Sequence, residues 1–183
     1  MAFGNTKLRS HTMEIKRIYK QSLPATRFIG KKYSDDDRVD GSFGAKWGEA
    51  FGTGLFERLE AIAGEQFFED SGAYIGLMRH LDGEPFEYWI GMFMKPDTTV
   101  PEGLDYHDFP AAPIGVAWVY GNESNGELYC HEDVICPRLA DEGLELATMD
   151  GAFWFFERYQ CPRFTTPDEK GNVILDMCYF VKE

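Results

Sequence analysis

The most aromatic run in the sequence is Gly151-Ala152-Phe153-Trp154-Phe155-Phe156-Glu157-Arg158-Tyr159. A run this short and this rich in aromatic residues predicts a β-strand. Side chains alternate between the two faces of a strand, so one face should carry Phe153, Phe155, Glu157 and Tyr159, and the other Trp154, Phe156 and Arg158. Glu157 is then a single acid among aromatic rings.

A buried carboxylate without a partner is costly, so something must neutralise Glu157. Three solutions stay open from the sequence. An arginine such as Arg27 or Arg163 could pair with it, a bound cation could neutralise it, or a raised pKa could keep it protonated. Neutralisation by a bound cation would make the strand part of a ligand-binding site.

The composition narrows the class of protein. The chain has 183 residues, 44% apolar and 15% aromatic, which is enough to build a core and is untypical of disorder. Its net charge of −13 repels nucleic acids and anionic membranes, and it favours cationic ligands or simply solubility. We therefore expect neither direct nucleic-acid binding nor membrane binding.

The cysteines and the N-terminus give further expectations. The spacing of Cys130, Cys136, Cys161 and Cys178 matches no zinc motif, and no cofactor motif is visible, so we expect neither metal nor cofactor. No signal peptide or long apolar run is present, so a cytoplasmic protein with reduced thiols is expected. Residues 1–12 are predicted to be a flexible tail, too short for a helix-turn-helix.

The remaining chain, residues 13–183, is predicted to be one domain built from two similar units, 13–97 and 98–183. Each unit has the order strand, helix, strand, strand, and each first strand is interrupted by proline, at Pro24 and at Pro110. The helices are predicted at 45–64 and over a stripe from Leu128 to Leu139. The prediction is an α+β fold: an antiparallel sheet with two helices on one face. The other face, left open or folded into a groove, is where we expect ligands.

Four segments resemble motifs of the GyrI-like proteins, also called the AraC-type effector-binding domains. Residues 109–117, with Gly121 four residues on, are similar to the family's "Ile-Pro-Ala-Gly-x-Tyr-Ala-x-Phe-x-x-x-Gly" strand. Phe156-Glu157-Arg158-Tyr159 is similar to its "Phe-Glu-x-Tyr" strand. Residues 176–182 resemble its closing "Asp-x-Tyr-x-Pro-Val-Lys", and residues 23–30 its opening strand. The sequence departs from these motifs at three positions, Ile114, Cys178 and Phe180.

The resemblance implies a cleft between the two units that binds bulky hydrophobic, often cationic, small molecules with Glu157 at its base. Aromatic rings around a carboxylate suit such ligands through cation–π contact and Coulomb attraction. The candidate ligand-binding residues are Glu157, Tyr159, Trp118, Trp89, Phe155 and Phe43. Tyr159 and Trp118 could equally be core residues, and either Tyr88 or Trp89 should face the groove, with Trp89 preferred.

Three functions follow from the resemblance. The first is a stand-alone effector-binding domain that senses or sequesters hydrophobic cations. The second is a hydrolase that opens cyclopropane rings of genotoxic natural products, with Glu157 as catalytic general base and Glu87 as a candidate second acid. The third is a protein inhibitor of DNA gyrase. The sequence leaves open whether the chain forms a homodimer. His131-Glu132 is expected to be a solvated pair on the far face of the sheet.

Overall fold

A computed structural model describes residues 13–183, so the expected tail at residues 1–12 lies outside the described residues. The strands are β1 (Glu14–Leu23), β2 (Thr26–Ser34), β3 (Ile75–His80), β4 (Glu87–Met94), β5 (Asp105–Phe109), β6 (Ala112–Gly121), β7 (Phe153–Arg158) and β8 (Val173–Phe180). The α-helices are α1 (Gly44–Gly52), α2 (Leu55–Ala63), α3 (Glu132–Asp141) and α4 (Pro162–Thr165). Short 3-10 turns lie at Asp35–Asp37 and Glu123–Asn125.

All eight strands form one antiparallel sheet in the order β1-β6-β8-β7-β3-β4-β2-β5. The order is symmetric about the central β7–β3 pair if β1 corresponds to β5, β2 to β6, β3 to β7 and β4 to β8. The first strand of each unit therefore pairs with a strand of the other unit: β1 pairs with β6, and β5 pairs with β2. The predicted α+β fold with duplicated units is confirmed.

The breaks in the elements have local causes. Pro24 and Pro110 lack the N–H that a continuing ladder would need, and each separates two strands that pair with different neighbours. The helix predicted at 45–64 is two helices, because Gly54 adopts a left-handed conformation with φ of 71°. Helix α4 is a single turn in the connection between β7 and β8.

The two faces of the sheet are buried differently. The helices pack on one face, here called the helix face, over Tyr88, Phe155 and Tyr179. The sheet curls around its other face, here called the inner face. There Phe109 of edge strand β5 stacks on Phe180 of β8 with ring centroids 5.1 Å apart. The face expected to be an open groove is therefore filled by the protein's own aromatic side chains.

The curl of the sheet depends on two glycines that face each other where β2 pairs with β4. Gly30 and Gly91 are cross-strand partners. A Cβ on Gly91 would overlap the carbonyl oxygen of Ile29, and one on Gly30 would overlap that of Ile90. Backbone atoms cannot move aside as a flexible side chain can, so these two positions exclude any larger residue.

Within the described part of the chain, no helix combines the length and the apolar character needed to span a bilayer.

We expect Gly91→Ala to lower the free energy of unfolding by at least about 2 kcal/mol, because the new methyl group forces two strands apart. Gly48→Ala is the matched control. Gly48 lies in α1 with no atom within 4 Å of a built Cβ, so the change should raise stability by roughly 0.5–1 kcal/mol. Urea denaturation of both variants measures the difference, and equal effects would contradict this account of the curl.

Candidate functional site

Glu157 lies in β7, in the middle of the sheet, and its side chain projects from the helix face. Its cross-strand partners are Gly76 of β3 and Met177 of β8. Only 8% of Glu157 is exposed. A Cβ at residue 76 would lie 2.8 Å from the Glu157 Oε2 atom and would overlap the Tyr88 hydroxyl, so glycine leaves the space for both groups.

Two tyrosines donate hydrogen bonds to this carboxylate. The Tyr88 and Tyr159 hydroxyls each lie 2.9 Å from Glu157 Oε2. The Trp47 indole N–H donates in turn to the Tyr88 hydroxyl, at 2.9 Å. These four side chains, Trp47, Tyr88, Tyr159 and Glu157, are called the glutamate network below. It joins α1 to the centre of the sheet.

No ion pair reaches Glu157 from any basic side chain in residues 13–183. Arg27 pairs with Asp108, and Arg163 pairs with Asp70 and Asp176, so neither arginine neutralises it. Burial raises the pKa of Glu157 to about 7; the hydrogen bonds from Tyr159 and Tyr88 oppose this rise, and the charge of Glu132 adds to it. Of the three solutions open from the sequence, pairing with Arg27 or Arg163 is therefore excluded.

A cavity of about 480 Å³ opens beside the glutamate network. Six of the ten residues that line it are aromatic, so most of its wall is π surface. They are Trp47, Phe51, Tyr74, Tyr129, Tyr159 and Phe164, and the others are Gly44, Glu123, Gln160 and Thr165. Glu157 is absent from the wall, whereas Trp47 and Tyr159 belong to both the wall and the network. The carboxylate therefore lies behind an aromatic layer.

Three of the predicted site residues lie with Glu157 on the helix face. Tyr159 lines the cavity. Phe43 is buried and stacks on Tyr88 with centroids 4.3 Å apart and planes 5° apart, so it supports the network instead of lining an entrance. Phe155 is also buried and stacks on Tyr179, with centroids 5.6 Å apart, so it belongs to the core below the site.

Trp89 and Trp118 lie on the inner face, away from Glu157. Strand parity decides both positions: Tyr88 points to the helix face, so its neighbour Trp89 points to the inner core. Trp118 pairs with Asp176 across the strands, and its ring lies 5.1 Å from the Arg163 guanidinium. Trp89 therefore lies on the face opposite the helices, where the groove was expected, but that face is filled by the inner core and the cavity lies on the side of Tyr88.

Glu87 also lies on the inner side, where it accepts a hydrogen bond from the Trp89 indole N–H at 3.0 Å. It cannot act as a second acid at the cavity. The expectation for His131-Glu132 is also wrong. Helix α3 lies on the same face as Glu157, His131 is buried, and its Nε2 atom lies 2.7 Å from the Glu127 carbonyl oxygen.

Sequence reasoning missed most of the cavity wall. Trp47 and Phe51 fall within the helix predicted at 45–64, where a helical period assigns apolar residues to the core, but they lie in the short helix α1 at the side of the cavity. Tyr74 and Tyr129 lie in connections between elements, and Phe164 lies in the single helical turn α4, so neither a strand nor a helix period assigns these residues a face. Only the tertiary arrangement brings them together.

A second charged group lies on the inner side of β7. Arg158 is buried and pairs with Asp176 at 2.6 Å, and Arg163 pairs with Asp70 at 2.9 Å and with Asp176. Asp70, Cys161 and Asp176 are close enough to hold a metal ion, with their ligand atoms within 4.8 Å of one another. However, the two guanidinium groups already neutralise both carboxylates, which argues against a divalent cation at this position.

No protein-family model and no curated protein matches the sequence. Solved structures do match. One is a protein from Staphylococcus aureus MU50 assigned to bacterial transcription regulation, with 15% identity and a TM-score of 0.57 over 91% of this chain and 99% of that one. A second is SAV2435 bound to tetraphenylphosphonium, with 14% identity and a TM-score of 0.62 over 91% and 94%.

A third is the C-terminal domain of EcmrR, with 11% identity and a TM-score of 0.54 over 91% of this chain and 98% of that one. The chain shares the fold of these three structures. At these identities the match establishes the fold alone. What the cavity binds has to be argued from the residues of this chain.

The raised pKa of Glu157 predicts how stability changes with pH. A carboxylate with a folded-state pKa of about 7 and an ordinary value of 4.5 binds its proton more tightly when folded. Stability from this group is therefore complete below the ordinary value and is lost as pH rises through about 7. The loss should approach about 3 kcal/mol, because each pKa unit corresponds to about 1.4 kcal/mol.

Glu157→Gln cannot ionise, so the difference in unfolding free energy between wild type and variant should change by that amount between acidic and mildly alkaline pH. Denaturant titrations at a series of pH values measure it. A difference that stays constant across the series would show that the carboxylate does not titrate in this range.

Proposed function

We propose that the chain is an effector-binding domain that binds bulky hydrophobic cations in the aromatic cavity, for sensing or sequestration, with Glu157 as the buried anion. The observation that carries this proposal is the carboxylate itself. It is buried, it accepts hydrogen bonds from Tyr88 and Tyr159, and no basic side chain of the described residues pairs with it. Keeping such a group in the fold is costly unless a ligand uses its charge.

The wall suits a cation whose charge is spread over a large apolar surface. Such an ion is weakly hydrated, so it loses little when it leaves water, and its surface gains contact with the aromatic rings. A small, strongly hydrated ion would lose more in dehydration than the rings and one carboxylate could return. Aromatic walls also accept ligands of different shapes, which suits a site that binds a class of compounds.

The carboxylate acts through the aromatic layer in front of it. Tyr159 lines the cavity and donates its hydroxyl hydrogen to Glu157, so the ionised acid increases the electron density of that ring. A cation against the Tyr159 ring then gains cation–π contact and the longer-range attraction of the charge behind it. The Tyr88–Trp47 chain polarises the Trp47 ring in the same direction.

The comparison adds support. SAV2435, which shares the fold, is bound to tetraphenylphosphonium in its solved structure. Tetraphenylphosphonium carries one positive charge shielded by four phenyl rings, which is the chemistry that the wall of this cavity favours. It is therefore the first probe to use.

We expect tetraphenylphosphonium to bind to the wild-type chain and Glu157→Gln to weaken its affinity by about tenfold or more, because the variant removes the buried charge. Wild-type affinity should also rise with pH until Glu157 is fully ionised, by up to about tenfold per unit below its pKa, whereas the variant should show no such slope. Isothermal titration calorimetry across the pH series measures both.

Glu142→Gln is the matched control. Glu142 is exposed at the end of α3, so this variant changes the net charge equally without touching the cavity. Equal affinities for all three proteins would refute the role of Glu157, and no binding to wild type at any pH would refute the proposed function.

The hydrolase is the second candidate, and the pKa of Glu157 favours it. A carboxylate with a pKa of about 7 is suited to accept a proton from water at neutral pH, and the Tyr159 hydroxyl could help to position a substrate. Mass spectrometry of a cyclopropane-bearing alkylator incubated with the chain tests it. Opening of the ring by water that Glu157→Gln abolishes would support an enzyme; unchanged alkylator with both proteins would refute it.

A further inference from the structure

Trp47 joins the cavity wall to the buried carboxylate. Its ring lines the cavity, and its indole N–H donates a hydrogen bond to the Tyr88 hydroxyl at 2.9 Å. Tyr88 is not part of the wall, and its hydroxyl donates to Glu157 at 2.9 Å. One side chain of α1 is therefore in reach of a ligand on one side and, through a single hydroxyl, of Glu157 on the other.

The hydrogen bond from Trp47 fixes the role of the Tyr88 hydroxyl. An indole N–H can only donate, so the Tyr88 oxygen accepts that bond and its single hydrogen remains for Glu157. A hydroxyl that accepts one hydrogen bond is polarised and donates a stronger one. Donated hydrogen bonds stabilise a carboxylate more than a neutral carboxyl group, so this chain of two bonds favours the ionised form of Glu157.

Ring packing holds both members of this chain in place. The Tyr88 ring stacks on Phe43 with centroids 4.3 Å apart. The Trp47 ring stacks on Phe56 with centroids 5.8 Å apart, and it meets the Tyr159 ring edge-on at 4.8 Å. Packing on α2 and on the cavity wall therefore keeps the Trp47 N–H directed at Tyr88.

The other titratable groups around Glu157 keep their protons near neutral pH. The charge of Glu132 in α3 adds to the rise in the pKa of Glu157 that burial causes. Burial first, and the charge of Glu157 in addition, raises the pKa of the surrounding hydroxyl and thiol groups, which belong to Tyr88 in β4, Tyr129 and Cys130 before α3, Tyr159 after β7 and Tyr179 in β8. Within this set, Glu157 is the group that changes charge near pH 7.

We propose that Trp47 is a positioning residue: its indole N–H holds the Tyr88 hydroxyl toward Glu157 and so sets the pH range in which the cavity binds cations. The inference rests on the proposed function, because a cation in the cavity is the ligand whose binding responds. Trp47 carries no charge itself and acts through Tyr88.

Ionisation of Glu157 and cation binding are linked. An ionised carboxylate attracts a cation in the cavity, and by reciprocity a bound cation favours the ionised carboxylate. Without the Trp47 N–H, the carboxyl group keeps its proton to a higher pH, and a cation has to displace that proton. In alkaline solution Glu157 is ionised with or without the N–H, so the contribution of Trp47 to affinity through Glu157 disappears there.

A pH titration of the wild type by nuclear magnetic resonance tests the hydrogen-bond chain without any ligand. The sequence has four tryptophans, and Trp89, Trp118 and Trp154 lie in or against the inner core, on the other face of the sheet from Glu157. We expect the indole N–H resonance of Trp47 to shift with a midpoint at about pH 7 in the wild type and to stay constant through this range in Glu157→Gln.

The Trp47 resonance is identified by its absence from Trp47→Phe and, independently of that variant, by nuclear Overhauser contacts to the Tyr159 ring. A Trp47 resonance that does not titrate in the wild type, or that titrates equally in Glu157→Gln, would overturn the inference.

The pH profile of tetraphenylphosphonium binding tests the consequence for the cavity. Trp47→Phe keeps an aromatic ring at the wall and removes the indole N–H. We expect the pH at which affinity reaches half of its limiting value to rise by about half a unit, because one neutral hydrogen bond is lost one step away from the carboxylate. Tyr88→Phe removes the bond to Glu157 itself, so its shift should be about one unit. Calorimetry across a pH series measures both.

Phe51→Leu is the matched control. Phe51 lines the cavity from the same helix and has no hydrogen-bonding group, so its substitution should weaken binding by the same factor at every pH. If Trp47→Phe also weakens binding equally at every pH, Trp47 is only a wall residue and the inference fails, while the proposed function stands. If tetraphenylphosphonium binds to the wild type at no pH, the proposed function fails and this inference fails with it.

Discussion

The constraint on which the site depends is a buried carboxylate that forms no ion pair within the part of the chain that the structure describes. Glu157 and Arg158 are neighbours in sequence, yet strand alternation sends them to opposite faces of the sheet, where they cannot pair. Arg158 is neutralised on the inner side by Asp176. Among the described residues, Glu157 has the hydroxyls of Tyr88 and Tyr159 as hydrogen-bond donors and no cation beside it, and burial raises its pKa to about 7. Two adjacent residues therefore differ in their surroundings: Arg158 forms an ion pair, and Glu157 forms none among the described residues.

The division between the two faces explains where binding can occur. The inner face is closed because the curled sheet brings Phe109 against Phe180, and Gly30 and Gly91 permit that curl. The helix face keeps an open space of about 480 Å³. The cavity lies on that face, beside α1, with the aromatic layer of Trp47 and Tyr159 between it and the carboxylate.

Much of the architecture could be predicted because it depends on local chemistry. Proline ended the first strand of each unit, period-two alternation set the faces of β7, and repetition of the same element order indicated two related units. The site was predicted less well for physical reasons. The choice between Tyr88 and Trp89 needed the register of β4 against β3. The wall residues Tyr74 and Tyr129 lie in connections and Phe164 lies in the one-turn helix α4, so no period assigns them a face.

The sequence by itself determined that one acid lies among aromatic rings and that Arg158 points away from it, because alternation along a strand is a property of the backbone. The tertiary structure alone decided that no arginine of residues 13–183 reaches that acid, that tyrosine hydroxyls hold it, and that the cavity lies on the helix side. Those outcomes depend on how the sheet curls and on which connections meet above it. Contacts between residues far apart in the chain fix that geometry, and no local pattern records it.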